Sequence, residues 1–168
     1  EIVRMAKTAK RALCASIAVI AENDARKLAA VREIEDFIDC FQLEITSYLS
    51  ALSSRHLSEE VSIKLPVLLH TVNDLERIGD HAVNIAEIAE RKMDQKLLFT
   101  ESALAEADRL KREVDQMFDY IIGALQNNDV EQAKSALTNE KHLNRMQIEF
   151  RRSHVDRMRD GLCTPEGG

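Results

Sequence analysis

Residues Asn73–Asn84 read NDLERIGDHAVN, and apolar or small side chains recur in this stretch at intervals of three and four. The same intervals extend to both sides, over Leu65, Leu68, Val72, Leu75, Gly79, Ala82, Ala86 and Ala89. Such a period is typical of a helix that packs along one face in a bundle. Because the side chains along this face shrink towards glycine and alanine, we expect a neighbouring helix to approach most closely at Gly79.

The composition favours an all-α fold. Of the 168 residues, 45% are hydrophobic and 31% charged, only 4% are aromatic, and glycine (5) and proline (2) are scarce. A chain with so little turn chemistry and so few strand formers forms long helices by default, and its length suits a single domain. We therefore expect one antiparallel helix bundle.

The charge balance argues against nucleic acid as a partner. The net charge is −6, whereas proteins that bind nucleic acid usually carry a basic surplus. The basic residues late in the chain alternate with acidic ones, so we expect a solvated, salt-bridged face there rather than an anion site. These basic residues are Lys141, Arg145, Arg151, Arg152, Arg157 and Arg159. No apolar run reaches the roughly 18 residues that a membrane-spanning helix needs.

Period and turn residues together predict five helices. The expected bounds are Ile2–Glu22, Asp24 (as N-cap) to Leu52, Leu65–Lys92, Thr100 or Ser102 (as N-cap) to Leu125, and the residues after Asp129 to Asp160.

Two signals compete at the start of the third helix. Ser58 reads as a capping hydroxyl, and the acidic residues Glu59 and Glu60 follow it on the positive end of the helix dipole. Pro66, however, is tolerated in a first turn and costly deeper in a helix. We therefore place the start of the main part of this helix near Leu65.

The chain also contains an internal repeat at a constant offset of 105 residues. Ile20, Asn23, Asp24, Glu35 and Asp39 correspond in this way to Leu125, Asn128, Asp129, Glu140 and Asn144. We expect a complete three-helix repeat over 1–94, the first two helices of a second repeat over 101–160, and a terminal loop over 161–168.

Two acid pairs are candidates for metal binding. Glu76 and Asp80 lie four residues apart and therefore share one helix face, beside the Gly79 contact. Glu35 and Asp39 repeat this spacing on the second helix, which should be the antiparallel neighbour of the third. Four carboxylates could thus converge on one hard or borderline cation, since such cations prefer oxygen ligands. Asn73, His81 and Asn84 are candidates for an outer shell.

A solvated acidic face is the alternative interpretation. An acid followed by aspartate four positions later occurs five times in the chain, and arginines such as Arg32 and Arg77 could neutralise such pairs. No histidine has an acid three positions before it, which excludes a ferritin-like di-iron site. The sequence also lacks a glycine-rich phosphate loop and a nucleophile elbow. We therefore assign no catalytic residue.

The three cysteines, Cys14, Cys40 and Cys163, do not have metal-ligand spacing. Their odd number suggests reduced thiols in a cytosolic setting. Cys14 and Cys40 lie in apolar helical runs, where we expect buried thiols that behave as small hydrophobes.

The segment DLERIGDHAVNIAE, Asp74–Glu87, closely resembles the signature of the PhoU family, whose fold is two three-helix repeats with E/D-x-x-x-D motifs. The resemblance extends over nearly the whole chain. Within this family, the chain most resembles the PhoU-like domain found C-terminal to bacterial sodium/phosphate cotransporters. Two features carry this resemblance. They are the run Arg151–Cys163 and the opening at Glu1, which reads as if it followed directly on another domain.

This resemblance implies a regulatory module of phosphate uptake without enzymatic activity. By position it assigns Glu76, Asp80, Glu35 and Asp39 to the metal-binding motifs, with multinuclear iron or zinc as the implied metal. The expected partner is a membrane transporter domain, in cis or in trans, with a homodimer also open. The domain would then be the cytosolic part of an inner-membrane protein. Two alternatives stay open: a free-standing PhoU adaptor that acts with an ABC phosphate transporter and a sensor kinase, and a carboxylate-bridged phosphohydrolase.

Overall fold

The computed structural model describes residues 1–22, 25–97 and 100–163, and it contains no strand within these ranges. Five helices account for nearly all of this part of the chain. They are α1 (Ile2–Glu22), α2 (Ala25–Ser53), α3 (Glu59–Asp94), α4 (Glu101–Asn127) and α5 (Val130–Arg159). The all-α fold and the number of helices expected from the sequence are confirmed for these residues.

Helix α1 is the centre of the bundle. It packs against α2, α3 and α4, while α2 also packs against α3, and α5 packs mainly on α4. Ion pairs between helices show that sequence neighbours run antiparallel: Arg32 of α2 binds Glu90 near the end of α3 at 2.9 Å, and Arg109 of α4 binds Glu149 of α5 at 3.0 Å. The antiparallel bundle is therefore confirmed. No helix in the described part of the chain is long and apolar enough to span a membrane.

The core forms around the apolar face of α3. Seven of the eight positions predicted for this face are buried, and Leu68 is half-buried. Opposite them lie fully buried residues of α1 and α2, which are Met5, Ala6, Ala9, Ala12, Val31 and Ile38. Burial of this face supplies the main hydrophobic stabilisation of the first three helices.

The predicted start of α3 near Leu65 is wrong. The helix runs without interruption from Glu59, and Pro66 lies inside it. Proline removes the hydrogen bond that its own nitrogen would give to the carbonyl of Ser62. Both Ser62 and Pro66 are exposed, so water can satisfy that carbonyl, which makes the proline tolerable at this position.

The helix ends follow the predicted turn chemistry with one exception. Thr100, not Ser102, caps α4, and its hydroxyl accepts a hydrogen bond from the Ala103 amide at 3.1 Å. Asn128 adopts a left-handed conformation (φ 52°) between α4 and α5, and Gly161 does so after α5 (φ 70°). Ser58 is the exception in the described part of the chain, because its hydroxyl makes no capping hydrogen bond. The predicted N-cap Asp24 and the terminal residues 164–168 lie outside the described residues.

The structure corrects two predictions about side-chain environment. Cys40 is exposed and Cys14 half-buried, so neither is the fully buried thiol that we expected. Arg157 does not belong to a solvated basic face either, because its side chain is only 11% exposed. Its guanidinium binds both carboxylate oxygens of Glu106 on α4, at 2.8 and 3.0 Å. An alternating charge pattern could not show that one member of the cluster points inward.

Candidate metal centre

The two acid pairs lie on facing sides of α2 and α3, where these helices approach each other closely. A Cβ atom built on Gly79 would stand 3.1 Å from Ile38 Cδ1 and 3.6 Å from Glu35 Cγ. The absence of a side chain at Gly79 therefore brings the α3 backbone against the residues of α2 that carry the first acid pair. This close approach agrees with the one expected from the sequence.

The carboxylates of the two helices are close enough to oppose each other's ionisation. The pKa of Glu35 is raised above its ordinary value by burial first, and then by the negative charges of Asp39, Asp80, Asp36 and Glu76. Burial, Asp80 and Asp39 likewise raise the pKa of Glu76, while Arg77 lowers it in part. All four predicted ligands thus belong to one electrostatic cluster that spans both helices.

The neighbouring arginines are engaged with other carboxylates. Arg32 binds Glu90 at 2.9 Å, and Arg77 lies 3.8 Å from Asp74. Arg77 still lowers the pKa of Glu76 through its charge, so the neutralisation considered from the sequence is present there in part. Burial and the remaining repulsion between the carboxylates nevertheless keep the pKa of both glutamates raised.

The donor set suits a cation by its chemistry, although the side chains do not form a ligand cage as they stand. Within residues 1–22, 25–97 and 100–163, no three His, Cys, Asp or Glu side chains are arranged to hold a metal ion. Asp39 and Asp80 are exposed and Glu35 and Glu76 half-buried, so none of the four side chains is enclosed and each can adopt another rotamer. Carboxylate oxygens are suitable ligands for hard and borderline cations.

The surroundings of the cluster include polar groups that the sequence did not single out. Gln42 of α2 donates a hydrogen bond to Asn73 of α3 at 3.4 Å, one turn along from the acid pairs. Asp36 adds a further negative charge next to Glu35. Gln42 stands three positions after Asp39, so helical spacing could have identified it. The other predicted outer-shell residues, His81 and Asn84, are exposed.

A second polar cluster joins the halves of the molecule. Lys10 of α1 donates to Asp119 of α4 at 2.6 Å and lies 3.0 Å from Asp115. The thiol of Cys14 contacts Asp115 at 3.6 Å. The sequence showed Asp115 and Asp119 only as another acid pair, because the lysine that binds them lies more than a hundred positions away. Lys10 therefore offsets part of the negative charge of this pair through ion pairs between helices.

Comparison with known proteins identifies the family. The PhoU domain family matches residues 2–89 and 107–165, a range that includes all four carboxylates of the α2/α3 cluster. No curated protein and no solved structure matches the chain significantly. The family match covers most of the sequence and agrees with the helical fold and with the resemblance of Asp74–Glu87. The chain therefore belongs to the PhoU domain family.

Proposed function

We propose that this domain regulates phosphate uptake by acting on a membrane phosphate transporter, and that a cation bound by Glu35, Asp39, Glu76 and Asp80 is part of that regulation. Membership of the PhoU family supports the link to phosphate homeostasis and a regulatory rather than enzymatic role.

The observation that carries the cation proposal is the carboxylate cluster across the α2/α3 contact. Like charges on two facing helices repel each other and destabilise the contact between them. A cation placed between the carboxylates replaces this repulsion with attraction. Iron or zinc is the proposed metal, and Glu35 with Asp39 on α2 would share it with Glu76 and Asp80 on α3. A bound cation would thereby couple the positions of α2 and α3 and shape the surface that a partner contacts.

The proposed partner is the transporter domain of a sodium/phosphate cotransporter-like protein. The run Arg151–Cys163 supports this branch through its resemblance to the domains attached to such transporters. A free-standing adaptor for an ABC phosphate transporter and a sensor kinase is the second candidate. Both candidates assign the same role to the acidic cluster, and they differ in the transporter whose activity responds.

The test is phosphate uptake in the source cell with matched variants. Asp80→Asn removes one carboxylate of the cluster, and Asp74→Asn makes the same change on α3 at an exposed position that faces Arg77. We expect Asp80→Asn to alter how uptake of radiolabelled phosphate responds to external phosphate, while Asp74→Asn leaves the response unchanged. Equal behaviour of both variants and the parent would remove the acidic cluster from the proposal.

Removal of each transporter in turn distinguishes the two partners. If the domain acts on a sodium-coupled transporter, the effect of Asp80→Asn should disappear when that transporter is deleted or sodium is replaced by potassium. An effect that persists without sodium and disappears with the ABC transporter would favour the adaptor. A domain whose deletion leaves phosphate uptake unchanged under both conditions is not a regulator of phosphate uptake.

A further inference from the structure

One side of α5 carries basic and aliphatic side chains along an exposed stripe. Its members follow each other at intervals of four and three, so they share one helix face. They are Lys141, Arg145, Ile148, Arg152 and Val155, which we call the α5 outer stripe. All five are exposed, and the exposed fraction is 71% for Ile148 and 51% for Val155. The fold therefore holds large apolar side chains in solvent next to positive charges.

The three basic side chains of the stripe have no carboxylate partner. The alternating sequence led us to expect salt bridges on this face. Within residues 1–22, 25–97 and 100–163, however, Lys141, Arg145 and Arg152 form no ion pair. Their positive charges are therefore available to a ligand.

The carboxylates nearest the stripe are bound by other residues. Arg109 of α4 binds Glu149 at 3.0 Å, and Arg159 lies 3.3 Å from Asp156. Both acids line the same shallow depression of about 570 Å³ as the two arginines of the stripe. Because each acid already has a basic partner, the depression keeps an excess of positive charge.

The equivalent stripe of α2 has the same exposure but no basic residue. At the offset of 105, the five positions correspond to Asp36, Cys40, Leu43, Ser47 and Ser50, all of which are exposed. Helix α3 packs on α2 and leaves these positions in solvent, so this side of the helix is not a packing surface of the bundle. The fold thus needs no basic residues there, and those of α5 call for another explanation.

The position of α5 separates this positive charge from the acidic cluster. Helix α5 packs mainly on α4, whereas the cluster of acid pairs lies between α2 and α3. Residues 141–155 contain four basic side chains and one acidic one, although the whole chain has a net charge of −6. Since salt screens exposed charges beyond about 8 Å, a surface that contacts the stripe responds mainly to these local charges.

We propose that the α5 outer stripe binds an anionic lipid surface. Lys141, Arg145 and Arg152 contact the lipid phosphates, and Ile148 and Val155 enter the boundary between headgroups and acyl chains. Helices that lie in the plane of a membrane combine basic and apolar side chains in this way. The long basic side chains reach the headgroups while the helix lies deeper. This binding depends neither on the cation site of α2 and α3 nor on a particular transporter.

Other anionic ligands fit the stripe less well. A free phosphate ion could contact the arginines but would leave Ile148 and Val155 in water. Nucleic acid likewise offers phosphates, but the net charge of −6 opposes its approach. A flat lipid surface can contact all five side chains at once, because they form a row along the outside of a single helix.

Flotation of the purified chain with lipid vesicles tests the electrostatic part. The vesicles contain phosphatidylcholine alone or an equal mixture with phosphatidylglycerol. We expect binding to the mixed vesicles only, weaker as sodium chloride is raised. The double variant Arg145→Glu/Arg152→Glu should weaken it by about tenfold or more. The control Lys7→Glu/Arg11→Glu makes the same charge change at exposed positions of α1 and should bind like the parent. No binding by the parent, or equal loss in both double variants, overturns the proposal.

A tryptophan reporter tests the insertion of the aliphatic side chains. The chain contains no Trp, so Ile148→Trp introduces a single reporter, and Leu43→Trp places it at the equivalent exposed position of α2. We expect the emission of Ile148→Trp to shift to the blue on mixed vesicles, and that of Leu43→Trp to stay unchanged. Equal spectra of the two variants would overturn insertion.

Two competition experiments distinguish the lipid surface from other anions. Inorganic phosphate should displace the protein from mixed vesicles no more than sodium chloride of equal ionic strength does. Stronger displacement by phosphate would overturn the lipid assignment in favour of a phosphate ion. Soluble polyglutamate should bind more weakly than the mixed vesicles at the same salt concentration. Stronger binding to polyglutamate would overturn the proposal in favour of an acidic protein partner.

Discussion

Gly79 of α3 lies directly against Ile38 of α2: a Cβ atom on the glycine would come to 3.1 Å from Ile38 Cδ1 and 3.4 Å from Ile38 Cγ2. A distance of 3.1 Å is shorter than the optimal separation of two non-bonded carbon atoms, so the two helices lie closer here than a side chain at position 79 would comfortably allow. Because Glu35 and Asp80 flank this contact, the small residue of the core also sets the proximity of the acidic groups.

A larger side chain at Gly79 should separate the helices. We expect Gly79→Val to lower the free energy of unfolding by about 1–3 kcal/mol, since overpacking a dense core costs this much. Urea denaturation of the metal-free protein measures it. Combination with Ile38→Ala, which removes the opposing atoms, should cost less than the sum of the single changes. Strict additivity would show that Gly79 and Ile38 do not restrict each other.

The acidic cluster should make the metal-free protein less stable as the pH rises. The folded pKa of Glu35 is raised above the ordinary value of 4.5 by burial and by the neighbouring carboxylates. Between the unfolded and folded pKa values the native state therefore binds more protons than the unfolded state, and stability falls with rising pH across this window. Glu35→Gln should accordingly raise the melting temperature at about pH 7. A lower melting temperature would mean that the charge of Glu35 stabilises the fold.

The pair of Glu106 and Arg157 should have the opposite pH dependence. Burial alone raises the pKa of Glu106, but hydrogen bonds from Arg157 and Ser153 and the charge of Arg157 outweigh it, so the net shift is downward. The stability from this pair is complete above the unfolded pKa and is lost as the pH falls through the folded pKa. Because both side chains are largely buried (11% and 16% exposed), Glu106→Gln should cost about 3 kcal/mol at neutral pH. Thermal unfolding of the parent and of Glu106→Gln at several pH values measures this effect. Equal melting temperatures of the two proteins at every pH would show that the pair does not contribute to stability.

Replacement of Pro66 should stabilise α3. Pro66→Ala restores a donor for the carbonyl of Ser62 and removes the clash of the ring with it, while the unfolded chain gains some freedom. We expect a net gain of about 1–2 kcal/mol in denaturant unfolding. Ser62→Ala serves as the control at the same turn, because it leaves the proline in place. A loss of stability on Pro66→Ala would show that the fixed backbone angle of the proline stabilises the helix at this position more than the missing hydrogen bond destabilises it.

The exposed thiol of Cys40 should react faster than the half-buried thiol of Cys14. Cys40 is exposed, whereas burial raises the pKa of the Cys14 thiol first, and the charge of Asp115 and its hydrogen bond raise it further. Since the thiolate is the reactive form, iodoacetamide at about pH 8 should modify Cys40 well before Cys14. Mass spectrometry of the digested protein gives both rates. Asp115→Asn should accelerate only Cys14, and equal acceleration of Cys40 would indicate general loosening of the fold.

Period and turn chemistry predicted the helices and the buried face of α3 because both depend on local spacing. The predicted start of α3 was wrong because the destabilisation by a proline inside a helix depends on whether water reaches the carbonyl that loses its hydrogen bond. For Pro66 this depends on which face of the helix meets the core, which local spacing did not show. The inward position of Arg157 was not predicted for a similar reason, because its partner Glu106 lies on another helix. For the acid pairs, the spacing occurs five times and was not specific, and the neighbouring Gly79 and the adjoining second helix were what singled out Glu35/Asp39 and Glu76/Asp80. The sequence could not show the ion pairs of Asp115 and Asp119 with Lys10, because this lysine lies on another helix.

Calorimetric titration of the metal-free protein with zinc or ferrous iron measures whether the facing carboxylates of α2 and α3 bind a cation. We expect saturable binding that Asp80→Asn weakens by about tenfold or more and that Asp74→Asn leaves unchanged, with circular dichroism showing that both variants remain folded. Absence of binding by the parent, or equal affinity of the parent and Asp80→Asn for both metals, would mean that these carboxylates do not form a cation site.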